Sequence, residues 1–166
     1  DKLVTGVQTC ALPISQAPAT ANAPLEGNIR RAINTLPYYS VFDDLSFSLD
    51  ADGTVTLSGE VMQYYVRNSA VSAVKNLPGV TRVVDNIEVL PLSPYDNNLR
   101  IRAYNAIFGY PALSRHAINA RPPIRILVKN GNVTLAGVVN NDLDRTLAFN
   151  RLNGLAGAFS VTNELR

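Results

Sequence analysis

Asp52–Gly59 reads DGTVTLSG, and Asn130–Gly137 reads NGNVTLAG. An acidic or amide residue followed by glycine supplies the positive φ of a tight hairpin turn, and the Val-x-Leu after it alternates as a returning strand. The two stretches lie 78 residues apart, and sliding residues 52–88 onto 130–166 needs no gap and leaves 11 of 37 positions identical. Gly53/Gly131, Val55/Val133, Thr56/Thr134, Leu57/Leu135, Gly59/Gly137, Leu77/Leu155 and Gly79/Gly157 are among them. A solenoid needs at least about three units, so the chain reads as a tandem pair of small domains.

Working outward, each copy spells the same elements. In unit one, Leu25, Ile29, Ala32, Ile33 and Leu36 share one face of a helix stopped by Pro37. Leu45, Phe47 and Leu49 alternate as a strand into Asp52-Gly53, and Val55, Leu57 and Gly59 return. Val66, Ala70, Ala73, Val74 and Leu77 form a second helical stripe ended by Pro78-Gly79, and a last strand covers residues 80–89. Unit two begins with a helix around residues 97–108, continues through Ile124, Ile126 and Val128 into Asn130-Gly131, and has a turn one residue shorter. Asn140 or Asn141 can cap its second helix, with Asp142 and Asp144 in the first turn and Ala148, Leu152 and Leu155 inward. The expected class is α+β: two tandem α-β-β-α-β domains, each a three-stranded mixed sheet packed on two helices. The expected division is a tail at 1–24, domains at 25–90 and 97–166, and a linker at 91–96 stiffened by Pro91 and Pro94. Cores this thin favour docking of the two domains on each other.

Of the 166 residues, 46% are hydrophobic and 17% charged, enough apolar content for packed cores. A single Cys and a single His rule out an internal disulfide, a Cys-rich zinc site and a His-rich metal site. No run of about 18 apolar residues is present to span a membrane as a helix. Asp1–Ser15 has no periodicity and resembles a translated sequencing-adapter read-through; on that reading Cys10 has no role. The rival reading, the end of a secretory leader, lacks a basic segment followed by an apolar stretch. Gln16–Pro24 is uncharged and rich in Ala and Pro, as a flexible linker or the start of an exported protein would be.

The helix-first order, Val55–Gly59 and Val133–Gly137 after the hairpins, Leu77-Pro78-Gly79-Val80 and Val83-Val84-Asp85-Asn86 together resemble a tandem pair of BON domains. Leu155–Ala158 and Val161–Glu164 are the corresponding tracts of unit two. The resemblance implies a bacterial periplasmic or cell-envelope location, phospholipid binding and no catalysis. Unit two departs from it at Gly109–Pro123, which is longer and more basic than its counterpart.

Charge separates the units. Residues 25–93 carry a net −3 and residues 94–166 a net +5, and eight of the nine basic residues in the second set are Arg. Arg100, Arg102, Arg115, Arg121 and Arg125 have no acid between them, a pattern that attracts lipid headgroups, nucleic acid or an acidic protein face. The other reading is that they pair with acidic unit one. The first helix of unit two has an inner stripe of Leu99, Ala103, Ala106, Ile107 and Tyr110, and a second stripe of Ile101, Tyr104 and Phe108 flanked by Arg100 and Arg102. A helix apolar on two sides buries both or uses one for binding. Aromatics beside Arg suit a membrane interface, whereas internal packing would place the stripe under Gly109–Pro123 or against unit one. The expected binding residues are therefore Arg100, Ile101, Arg102, Tyr104, Phe108, Arg115, Arg121 and Arg125. Their partner is an anionic phospholipid surface, or an envelope protein docked on the same helix.

Other chemistries find little support. Ser114 and His116 lie two apart in a loop, which is no triad, and His116 reads as a surface residue, with a pH-sensing role beside Arg115 left open. Asp50-Ala51-Asp52-Gly53 lacks the later ligands of a calcium loop. The glycines fit no phosphate cradle, and the basic residues carry no aromatic RNA-binding motif, so no cofactor, metal or nucleic-acid partner is expected. Tyr38, Tyr39, Phe42, Tyr64 and Tyr65 read as core-edge or domain-interface residues.

Overall fold

The structure, a computed structural model, describes residues 23–119 and 121–166; the readings made for residues 1–22, Cys10 among them, fall outside it. Unit one comprises α1 (Ala23–Asn34), β1 (Asp44–Leu49), β2 (Thr54–Val61), α2 (Tyr64–Lys75) and β3 (Arg82–Val89). Unit two comprises α3 (Pro94–Phe108), a single turn α4 (Pro111–Ser114), β4 (Ile124–Lys129), β5 (Asn132–Gly137), α5 (Asp142–Leu152) and β6 (Ser160–Asn163). In each unit the central strand pairs antiparallel with the strand before it and parallel with the strand after it. The expected pair of α-β-β-α-β units with mixed three-stranded sheets is what the chain forms. Two boundaries shift: α1 opens at Ala23, inside the expected tail, and α3 at Pro94, inside the expected linker.

The turns explain the glycines. Asn130 and Gly131 both have positive φ, 51° and 78°, the geometry of a two-residue turn matched to strand twist. The motif glycine two residues past each Val-x-Leu has a different reason. At Gly59 an added Cβ would lie 2.1 Å from the Asp44 carbonyl oxygen, and at Gly137 2.0 Å from that of Pro123. Both have φ near +120°, so the residue must be glycine twice over.

One core lies under each sheet. In unit one Ile29, Ile33, Val55, Leu57, Val66, Ala70 and Val74 meet between sheet and helices, each large aliphatic chain contributing about 1.5–3 kcal/mol of burial. In unit two Leu99, Ala103, Ile107, Ile126, Val128, Leu135, Ala148 and Leu152 do the same. That second core also contains Val41, from unit one. The segment Tyr39–Phe42 is a strap: the Ile126 N–H on the outer edge of β4 donates to the Val41 carbonyl at 2.9 Å, and Phe42 packs on Tyr104. Asp43 anchors the strap by accepting from Ser40 N–H, Ser40 Oγ and Met62 N–H at 2.7, 2.8 and 2.6 Å. On the opposite face of the second sheet, Leu90 from the end of unit one packs with Leu127 and Ala136. The two units dock through both contacts.

Candidate surface on the second unit

α3 positions the expected site. Ser93 caps it, its Oγ accepting from the Asp96 N–H at 3.0 Å, with Pro94 in the first turn. The Asp96 carboxylate then accepts from the N–H groups of Asn130 and Gly131, which pins the helix start to the hairpin turn. Leu99, Ala103 and Ile107 face the core, as their spacing implies.

The Arg residues do not form one patch. Arg100, expected beside the exposed stripe, is only 2% exposed. It faces the outer edge of β4, where Val128 O has no strand partner among the described residues. Its Nη2 donates to that carbonyl at 2.8 Å and its Nη1 to Asn97 Oδ1 at 2.7 Å, and Nε has no partner among the described residues. Arg100 is therefore buried at the β4 edge and does not lie on the expected binding surface. Arg121 and Arg125 cross to unit one, where their direct contacts are neutral, although Arg125 lies near enough to Asp44 to oppose the rise that burial gives its carboxyl. Their guanidiniums lie 4.4 and 5.1 Å from the Tyr39 ring centroid, Arg121 donates to Ile33 O and Asn34 Oδ1, and Arg125 donates to Ser40 O. The cross-unit ion pair among the described residues is Lys129 with Glu88.

Arg115 donates to both oxygens of Asp144, at 2.7 and 2.5 Å, and His116 Nε2 lies 2.8 Å from Asp144 Oδ2. His116 is therefore buried, not the surface residue expected, because α4 turns it onto the start of α5. A carboxylate only accepts, so Nε2 carries the shared proton. Burial would raise the Asp144 carboxyl, but the Arg115 and His116 hydrogen bonds outweigh it and hold the group below its ordinary 3.8. Asn141 caps the same helix, its side chain accepting from the Asp144 N–H.

The second stripe of α3 divides. Phe108 is buried and Tyr104 half-buried, with ring centroids 4.8 Å apart and Phe42 of the strap 6.3 Å from Tyr104. Unit one covers that part. Ile101 remains 58% exposed, and Arg102 beside it is exposed. Arg102 Nη1 donates to Ala156 O at 2.7 Å, Tyr95 Oη donates to Gly157 O at 2.5 Å, and Tyr95 stacks on Phe159. Arg102, Tyr95 and Phe159 thus meet on one outer surface, with Phe159 75% exposed, and Ile101 is exposed farther round the same helix. The Ser-Pro-x-Asp signature at residues 93–96 starts the helix early enough to put Tyr95 seven residues before Arg102 on one face, and that signal could have found Tyr95. Nothing local marks Phe159.

Of the expected interface aromatics, Tyr39 and Phe42 lie between the units, whereas Tyr38, Tyr64 and Tyr65 are exposed. Among the described residues no cluster of His, Cys, Asp and Glu could hold a metal ion, and no helix is long and apolar enough to cross a membrane.

Two solved structures of CdsD, a structural protein of the Type III secretion system of Chlamydia trachomatis, are similar to this chain. The structure of its C-terminal domain is 18% identical over 86% of this chain and 96% of that one, with a TM-score of 0.34. The other is 17% identical over 86% and 91%, with a TM-score of 0.33. Likenesses this distant say nothing about function. No curated protein matches the chain. The BON domain family matches at residues 23–91 and again at 112–166, leaving most of the linker and α3 outside the match. With both units matched, the chain belongs to the BON domain family.

Proposed function

We propose that this chain is a non-enzymatic envelope protein that attaches to anionic phospholipid surfaces through its second BON domain, using the outer surface of α3. BON domains are associated with the cell envelope and phospholipid, which supports the location and the ligand class. The observation that carries the reading is the exposed, stacked Tyr95 and Phe159 beside Arg102, with Ile101 also exposed on α3. Apolar and aromatic side chains enter the headgroup layer while a guanidinium meets phosphate oxygens.

Attachment is weak. One Arg near an anionic surface supplies about 1 kcal/mol. Partial burial of Ile101 and Phe159 adds about 2–4 kcal/mol, for a dissociation constant of roughly 0.2–6 mM. Stable residence therefore needs several molecules or a second tether.

Co-sedimentation of the full chain with liposomes tests this. Pelleting that requires anionic lipid, falls with salt and is lost in Ile101→Ser and Arg102→Glu supports it. No pelleting on anionic liposomes at low salt refutes it. Arg102 is the one cation of the patch among the described residues, which also favours a second reading, in which the same surface docks on a periplasmic envelope protein. That reading expects indifference to lipid charge and a captured partner lost with Ile101→Ser.

A further inference from the structure

The duplication offers a comparison for the outer edge of β1, which no strand among the described residues covers. Phe47 and Ile126 occupy equivalent places, opposite Leu57 and Leu135 of the repeated motif. In unit two the outward N–H of Ile126 is taken by Val41 O, and the outward carbonyl of Val128 by Arg100. In unit one the Asp50 N–H to Thr54 O bond sets the phase, so Ser46 and Ser48 bond to β2 while Leu45, Phe47 and Leu49 turn their backbone groups outward. The Leu45 N–H donates to Tyr39 Oη at 3.0 Å. Those of Phe47 and Leu49 have no partner among the described residues. β1 carries no Lys, Arg or Pro, the usual means by which an edge strand refuses pairing.

A groove of about 510 Å³ follows this edge, with β1 along one wall from Asp44 to Leu49, α1 along the other, and Val138 and Arg166 at one end. Six residues give it a length of roughly 20 Å, enough for one extended segment. Glu26 and Asp44 balance Arg30 and Arg166 around it, so an uncharged segment fits. Leu45, Phe47 and Leu49 are half-buried, which leaves apolar surface for alternate side chains of an added strand.

We propose that the outer edge of β1 is a strand-addition site for an uncharged, extended segment of a partner protein, its alternate apolar side chains directed toward α1. The site is separate from the surface of α3 proposed to bind lipid and does not depend on it.

The test is a titration of the isotope-labelled full chain, followed by NMR and amide exchange. The probes are two end-capped peptides, one copying Tyr38–Phe42, which covers the equivalent edge of unit two, and one copying Thr54–Gly59, which already pairs with β1 from its other side. The expected result at about 1 mM peptide, where even a millimolar site is half filled, is slowed exchange at Phe47 and Leu49 with β2 amides unchanged. Phe47→Pro removes an outward N–H that β2 does not use and should abolish the effect. Leu49→Lys, which keeps every backbone donor, should weaken binding about tenfold, equivalent to 1.4 kcal/mol. No change at Phe47 and Leu49 with either peptide overturns the proposal. So does protection of these amides in peptide-free protein that rises with its concentration, since a second copy would then be the occupant.

Discussion

Asp144 accepts a hydrogen bond from His116 in a nearly closed site: Oδ2 and Nε2 are 2.8 Å apart, and the carboxylate side chain is 2% exposed. Arg115 closes the same carboxylate from the solvent side. The contact ties α4 to the start of α5, and with it the longer loop of unit two. Because the Asp144 carboxyl is held below its ordinary 3.8, the stability it contributes is complete above that value and is lost as pH falls through the depressed one. Asp144→Asn should destabilise by about 1.5–3 kcal/mol at neutral pH, the range for hydrogen bonds to a charged group. The gap to the natural chain should hold down to about pH 4 and narrow below it. Urea midpoints from pH 7 to pH 2.5 measure this; a gap that stays constant in acid would remove Asp144 as its source.

Gly59→Ala and Gly137→Ala should each destabilise by about 2 kcal/mol or more, because each adds a Cβ at positive φ against a backbone carbonyl that cannot move freely. Gly27→Ala is the control. It lies within α1 with nothing within 4 Å of an added Cβ, and should stabilise by about 0.5–1 kcal/mol. Chemical denaturation of the three variants separates motif glycines from an incidental one.

Val41→Ala should weaken unit two although the residue belongs to unit one. Two buried methyl groups leave a core shared with Leu99 and Ile126, a loss of about 1.5–2.5 kcal/mol including the cavity. Faster amide exchange at Ile126 and its β5 neighbours would register it. A response confined to unit one would mean that the strap does not stabilise the second core.

Arg100→Ala and Arg102→Glu should fail in different assays. Arg100→Ala leaves the buried Val128 carbonyl without its donor and should cost about 1–3 kcal/mol of stability. Arg102→Glu should leave stability within about 0.5 kcal/mol and reduce liposome pelleting. Equal loss of pelleting by folded protein in both would return Arg100 to the binding surface.

The fold was legible because most elements carry local signals; the single turn α4 and the start of α3 were not legible in this way. Asn130-Gly131 specifies a hairpin, Ile29 and Ile33 a helix face, and Asn141 a cap. The site was less so, because its residues act across long sequence separations. Arg100 and Arg102 look alike in the sequence, yet one reaches Val128 O and the other Ala156 O. Periodicity found the second stripe of α3 but not that Phe42, far earlier in the chain, lies over Tyr104. His116 looked superficial because Asp144, its partner, lies in another element. Tyr95 went unplaced because the linker prolines masked a helix start.

The position of the strap has a consequence for the order of synthesis. Domains generally fold as they emerge, the N-terminal one first. Val41 precedes every strand of the second sheet in the chain, so when unit one folds first the outer edge of β4 meets a partner already held in place by Asp43. The newborn second unit need never display that edge to another chain. A permuted gene that translated the second unit first would expose it, at the stage when an unpaired strand is most prone to aggregate.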